Sequence, residues 1–297
     1  MFRWTDADAA AAGEPTGDRA LRAVTALAAH LSGLLLAGVV LFVLWQAWPA
    51  LEAVGPLRFV TDGAWLPDGR PAQFGLLPML LASVAVTVGA MLLAGPLGLA
   101  TAVFMTDYAP AWLARLLRGV VELLAGVPSV IYGLWGLVTL VPLLAAWQPP
   151  GASLLAGMLV LALMILPTMT LTAHAAITSV GSECRLAVAA LGFTGAGALW
   201  GVVLPAARNG LCGALLLSTA RALGETMVVL MVMGNVVRLP DGLLAPARTL
   251  TANIALELGY AGDRHRAALF VGGLVLTGLV AALVLAARRM GCAVRHA

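Results

Sequence analysis

Lysine is missing altogether: all 17 basic residues of this 297-residue chain are arginine. Charge of either sign is scarce, at 10% of residues against 61% hydrophobic, whereas a soluble domain carries about a quarter charged residues. A chain so poor in charge cannot cover a water-facing surface, and lipid is its expected solvent. The net charge of +3 excludes a nucleic-acid-binding face, which needs a dense basic patch. Cysteine is nearly absent as well. Cys184, Cys212 and Cys292 have neither metal-ligand nor redox spacing. They read as small apolar fillers on or near the cytoplasmic side, with no disulfide, no metal and no cofactor. His30, His174, His265 and His296 share no motif and no helical spacing with a carboxylate. The GxxxxGK[ST] phosphate loop of nucleotide hydrolases is missing too.

What the chain has is apolar length. A membrane helix needs about 20 mostly apolar residues, and six stretches qualify: 23–48, 74–105, 120–147, 151–177, 209–237 and 267–287. The expected fold is therefore an all-α polytopic membrane protein with six transmembrane helices. It comprises a membrane domain over 23–287, a polar tail over 1–22 and a short tail over 288–297. The first apolar run is too long for a signal peptide and reads as an uncleaved membrane helix. With both termini cytoplasmic, ten arginines fall inside, six outside and Arg221 within the membrane, the asymmetry that inner-membrane proteins show. The outer loops are then 51–73 and 238–266. Within the latter, 249–258 reads as a short helix lying against the membrane surface.

Three constellations stand out. The inner loop 178–208 is neither a linker nor a charge run. Ser182 is a plausible N-cap, Leu186, Ala189 and Ala190 recur at helical spacing, Gly192 is a stop, and a second helical run over 196–203 is expected to end at Pro205. In the fifth span, Arg221 and Glu225 are four residues apart, hence on one helix face and within pairing distance. Counting about 1.5 Å per residue from the inner end puts Arg221 about 18 Å deep, near the midplane. A charge at that depth is costly and usually lines a pathway or pairs inside the bundle. A guanidinium presents a planar fork of donors suited to phosphate oxygens. In the third span, Pro128 frees a backbone carbonyl beside Ser129, which lipid tolerates only where protein or a cavity compensates. Both residues are expected to face the bundle interior and border the same pathway.

The run RLAVAALGFTGAGALWGVVLP resembles the cytoplasmic coupling motif of ABC importer permeases, EAA, three residues, G, nine residues, I-x-LP. Arg185, Leu186, Ala187, Ala190, Gly192, Leu204 and Pro205 fall on it, with Leu186 where the motif has Glu. The segments FGLLP, YAP, ELLAGVPSVIYGLWG, RALGETMVVLMVMGN and TLTANIALELGYA together resemble the C-type permeases of bacterial phosphate importers, over about 74–269. The resemblance implies a MetI-like (type I) permease bundle in the inner membrane that hydrolyses no ATP itself. It implies an ABC ATPase dimer on the inner loops, a sister A-type permease, a periplasmic phosphate-binding protein, and phosphate as cargo. It also places Arg221 and Glu225 on the family's charged transport residues. A permease for another oxyanion such as sulfate, molybdate or phosphonate, and an ion-coupled carrier with Glu225 as its proton site, are the alternatives.

Overall fold

The computed structural model describes residues 16–289. The expected tails over 1–22 and 288–297 lie mostly outside the described residues, and the first helix has already begun at Thr16.

That helix, α1 (Thr16–Val54), runs through Pro49. A short α2 (Pro56–Thr61) follows, then an antiparallel hairpin of β1 (Trp65–Leu66) and β2 (Gln73–Phe74), pairing Trp65 with Phe74 and Leu66 with Gln73. The second crossing, α3 (Leu77–Val103), continues through a π turn at Phe104–Tyr108. The third is broken. α4 (Ala111–Gly126) and α5 (Ser129–Trp135) meet in a pair bent by 91°. α5 then runs on through a π turn at Gly136–Leu140 into α6 (Val141–Ala145). The fourth crossing is α7 (Leu154–Thr178). α8 (Ser182–Ala190) and α9 (Gly195–Ala198) follow at the end of the bundle opposite the hairpin. α9 passes through a π turn at Leu199–Val203 into α10 (Leu204–Leu223). After α11 (Met227–Val232) and α12 (Leu250–Glu257), α13 (Asp263–Arg289) makes the last crossing. Among the described residues five helices are long and apolar enough to span a membrane, and the bent pair makes a sixth.

The π turns share one cause. In each, the last i→i+5 bond is donated by the residue immediately before a proline: Ala109 to the Phe104 carbonyl before Pro110, Val141 to Gly136 before Pro142, and Leu204 to Leu199 before Pro205. A proline ring clashes with the carbonyl four residues back, and widening the preceding turn moves that carbonyl aside. The expectation that the second helical run of the inner loop ends at Pro205 is therefore corrected. The helix continues without a break from Gly195 to Leu223, 29 residues in all. The third span bends where Pro128 removes a backbone hydrogen bond. Val127 precedes Pro128 and is held extended, at φ −68° and ψ 128°, as pre-proline residues tend to be.

α3 and α7 form the centre of the bundle, with α10, α5 and α11 against them. Small residues set the spacing. A Cβ on Gly98 would meet Met169 Cγ at 2.8 Å, and one on Gly136 would meet Val160 Cγ2 at 2.6 Å and Val232 Cγ1 at 3.0 Å. Such glycines let helices approach where hydrophobic burial alone gives no attraction in lipid. A second cluster at the hairpin end joins Ala47, Phe59, Trp65, Leu76, Leu250 and Leu269. Cys184 is free, whereas Cys212 is disulfide-bonded, correcting the expectation of three unpaired thiols.

Candidate functional site in a broken membrane helix

The two intramembrane charges do not share a helix: Arg221 is in α10 and Glu225 in the break that follows it. α10 ends at Leu223, residues 224–226 are non-helical, and α11 starts at Met227. Glu225 Oε1 accepts from the Met227 N–H at 3.0 Å and the Val228 N–H at 3.2 Å. Thr226 Oγ1 donates to the Gly224 carbonyl at 3.3 Å. The side chains of Glu225 and Thr226 thus take backbone groups that a continuous helix would use, the competition that polar side chains offer. The first amides of a helix have no intrahelical partner. A carboxylate that takes two of them stabilises the start by about 0.5 to 2 kcal/mol. Arg221, in turn, lies in the last turn of α10, where a cation meets the negative end of the helix dipole.

The Glu225 carboxylate is therefore held by the start of α11, while Arg221 stands at the carboxyl end of α10. Among the described residues no ion pair joins Arg221 to Glu225. The pairing drawn from the four-residue spacing is corrected, because that spacing brings side chains together only on an unbroken helix. Arg221 is also further along its helix than expected, roughly 40 Å from Gly195 at about 1.5 Å per residue.

In the single chain Arg221 is exposed and Glu225 half-buried. The Tyr132 hydroxyl donates to the Leu124 carbonyl of α4 at 2.8 Å, closing the bend at Val127–Pro128. Tyr132, a residue the sequence reading did not single out, thus ties the two sides of the Pro128 bend together. Pro128 is exposed and Ser129 half-buried as the first residue of α5. α5 and α11 pack closely: a Cβ on Gly133 would lie 2.8 Å from Met231 Sδ and 3.3 Å from Val228 Cα.

The helix expected on the membrane surface is instead buried inside the protein. α12 packs against α13, α3 and α11, with Leu250, Thr251, Ala252, Asn253 and Glu257 all buried. Glu257 is the hub of a network that sequence reasoning missed. Its Oε1 accepts from Arg248 Nη1 at 2.6 Å. Its Oε2 accepts from Trp65 Nε1 at 2.8 Å and lies 2.8 Å from His265 Nε2. Arg248 Nη1 also donates to Asn253 Oδ1 at 3.0 Å, and its Nε to the Asn235 carbonyl at 2.9 Å. His265 thus has a carboxylate partner eight residues away that no helical spacing announces.

At the opposite end, the inner-loop residues form a helix, a turn and a second helix. Arg185, Leu186, Ala187 and Ala190 lie on α8. Gly192 ends it at φ +75°, a left-handed conformation that glycine adopts without penalty. Thr194 Oγ1 then caps α9 by accepting the Gly197 N–H at 3.3 Å. Leu186 (69%), Leu191 (76%) and Trp200 (71%) are largely exposed, as are Ala187, Ala190, Gly192 and Pro205, while Leu204 is half-buried. Apolar residues gathered on an exposed end in this way mark an interaction surface.

Comparison with known proteins gives concordant results. Residues 94–291 match the family described as "Binding-protein-dependent transport system inner membrane component". The chain is 42% identical over 230 residues to the "Probable ABC transporter permease protein YqgH" of Bacillus subtilis, covering 76% of this chain and 74% of that one. It is 36% identical over 295 residues to the "Phosphate transport system permease protein PstC" of Mesorhizobium japonicum, covering 92% and 89%. Among solved structures, the MetNI methionine ABC transporter in an inward-facing form superposes with TM-score 0.55 at 20% identity, covering 73% of this chain and 92% of that one. A bacterial ABC transporter involved in import of the acidic polysaccharide alginate superposes with TM-score 0.56 at 14% identity, covering 91% and 97%.

Proposed function

Since the chain belongs to the family of binding-protein-dependent transport system inner membrane components, it is a membrane-spanning permease subunit of an ABC importer, and we propose that its cargo is inorganic phosphate. The observation that carries the cargo is the likeness to PstC proteins over nearly the whole chain. The charged helix break supports it chemically. A phosphate dianion needs several donors and a compensating charge, and the guanidinium of Arg221 supplies both in one planar fork. Glu225, in the break that follows, keeps that attraction from becoming a trap. Its carboxylate is held by amides of α11, close enough to repel the bound anion and favour its release.

Energy enters at the other end. The exposed apolar residues of α8, with Gly192, are the docking surface for an ATP-binding cassette dimer. From α9 to Arg221 the helix is continuous, so a displacement beside α8 is carried to the break as motion of one rod. The bends at Val127–Pro128 and at 224–226 are the points at which the halves of the third and fifth crossings reorient for alternating access. Ser129 and Pro128 border the route. A sister A-type permease completes the pathway on the side where Arg221 is exposed, and a periplasmic phosphate-binding protein delivers the anion at the hairpin end. Both termini are cytoplasmic. The chain itself performs no catalysis.

The test is ATP-dependent phosphate uptake in proteoliposomes containing this chain, its sister permease, the ATPase and the binding protein. Arg221→Ala is expected to hydrolyse ATP while losing at least about tenfold in uptake, the effect of removing a charge-assisted contact of about 1.5 to 3 kcal/mol. Normal uptake by that variant refutes the site. Uptake of sulfate or molybdate in place of phosphate by the wild type refutes the cargo.

A further inference from the structure

Residues 247–251, leading into α12, have no part in the transport chemistry described so far, yet they hold both ends of α11, the helix that follows the transport break. The following inference rests on reading the Arg221–Glu225 break as the transport site. At the start of α11, Thr251 Oγ1 donates to the backbone carbonyl of Glu225 at 2.8 Å. At the end of α11, Arg248 Nε donates to the Asn235 carbonyl at 2.9 Å and the Ala247 N–H to the Met233 carbonyl at 2.9 Å. Asn235 itself, left-handed at φ +54°, donates from Nδ2 to the Leu230 carbonyl at 2.7 Å. One continuous segment, 247–251, thus holds both ends of a six-residue helix that is too short to be stable alone.

The clasp is anchored. The Leu250 N–H donates to Ser83 Oγ of α3 at 2.9 Å. Thr249 Oγ1 caps α12 through the Ala252 N–H at 3.2 Å and lies 3.0 Å from Thr251 Oγ1. Glu257, at the far end of α12, is held by Arg248, Trp65 and His265. Thr251 is only 7% exposed, so its hydroxyl reaches the backbone carbonyl of Glu225 from a fixed platform.

We propose that Thr251 is a positioning residue for transport: it fixes the Glu225 peptide so that the carboxylate stays on the Met227 and Val228 amides and leaves the Arg221 guanidinium to the anion. Without this hydrogen bond the loop over 224–226 relaxes, and Glu225 swings onto Arg221 and competes with the cargo. Glu225 is then a built-in rival ligand, and Thr251 is what restrains it.

The test uses the reconstituted four-component transporter and reads phosphate moved per ATP hydrolysed. Thr251→Val is expected to lower that ratio about three- to tenfold, the fold-change that one lost hydrogen bond carries, with ATP hydrolysis within about twofold of wild type. Thr251→Ser, which keeps the hydroxyl, restores the ratio. An unchanged ratio in Thr251→Val, a serine variant as defective as valine, or hydrolysis falling in parallel with uptake each overturns the proposal. If the valine variant does not assemble, amide hydrogen exchange on detergent-solubilised Thr251→Ala decides. Faster exchange at Met227 and Val228 with α12 still protected supports the proposal, and unchanged exchange there overturns it. Wild-type uptake of a different oxyanion, with the same valine and serine pattern on that anion, overturns the phosphate assignment and leaves the positioning role standing.

Discussion

Replacing Glu257 by alanine removes the acceptor on which three elements converge. The carboxylate is 9% exposed, with Arg248 at 17% and His265 at 9%, so solvent can replace little of what is lost. Truncating one partner of a buried ion pair costs about 3 to 5 kcal/mol, mostly as the penalty of the stranded charge. Arg248 keeps the Asn235 carbonyl and Asn253 Oδ1, which argues for the lower end. The Trp65 N–H, on a residue 6% exposed, loses its acceptor and adds about 1 to 3 kcal/mol. The two terms overlap wherever a water enters the space left, so the sum expected is about 3 to 5 kcal/mol. At about 2 to 4 °C per kcal/mol for a chain of this size, Glu257→Ala should melt roughly 6 to 20 °C below wild type. The assay is thermal unfolding in detergent at matched scan rate, followed by tryptophan fluorescence. Glu257→Gln keeps an acceptor and should fall by less than half as much. Replacing the pair together, Arg248→Met with Glu257→Leu, should recover much of the loss, as buried ionic groups exchanged for apolar ones often do. An alanine variant melting within about 2 °C of wild type would sink the claim that this cluster holds the hairpin end together.

The remaining expectations concern single groups. Gly192→Ala meets no atom within 4 Å, so its cost is purely conformational, about 1 to 2 kcal/mol for a left-handed alanine; it should lower uptake through a loosened inner loop and leave binding-protein docking unchanged, read by co-purification of the ATPase and of the binding protein. Glu225→Gln keeps a carbonyl oxygen on the Met227 and Val228 amides and should leave the melting temperature within about 2 °C, whereas Glu225→Ala loses the cap and should cost about 1 kcal/mol. Ser83→Ala strands the buried Leu250 N–H and should destabilise by about 1 to 3 kcal/mol, visible as faster amide exchange at the start of α12. Gly136→Val drives a branched side chain into Val160 and Val232 and should cost more than about 1 to 3 kcal/mol, read as loss of folded protein after detergent extraction.

Membrane character, the number of crossings and the inner-loop register were legible before any coordinates, and for a common reason. Partitioning into lipid is a nearly additive property of a run of residues, so a count of apolar length suffices. The Gly192 stop and the Pro128 break are likewise decided within a turn or two of chain. Tertiary structure decided what depends on several distant groups at once. Arg221 and Glu225 look like a helical pair because spacing assumes the helix continues; it breaks because Glu225 caps α11 and Thr251, 26 residues downstream, holds the Glu225 carbonyl. The segment over 249–258 has the composition of a surface helix; it is buried because Arg248, Asn253 and Glu257 satisfy one another and Trp65 and His265. A buried polar residue costs free energy until its partners arrive, and those partners come from stretches of chain that only packing brings together.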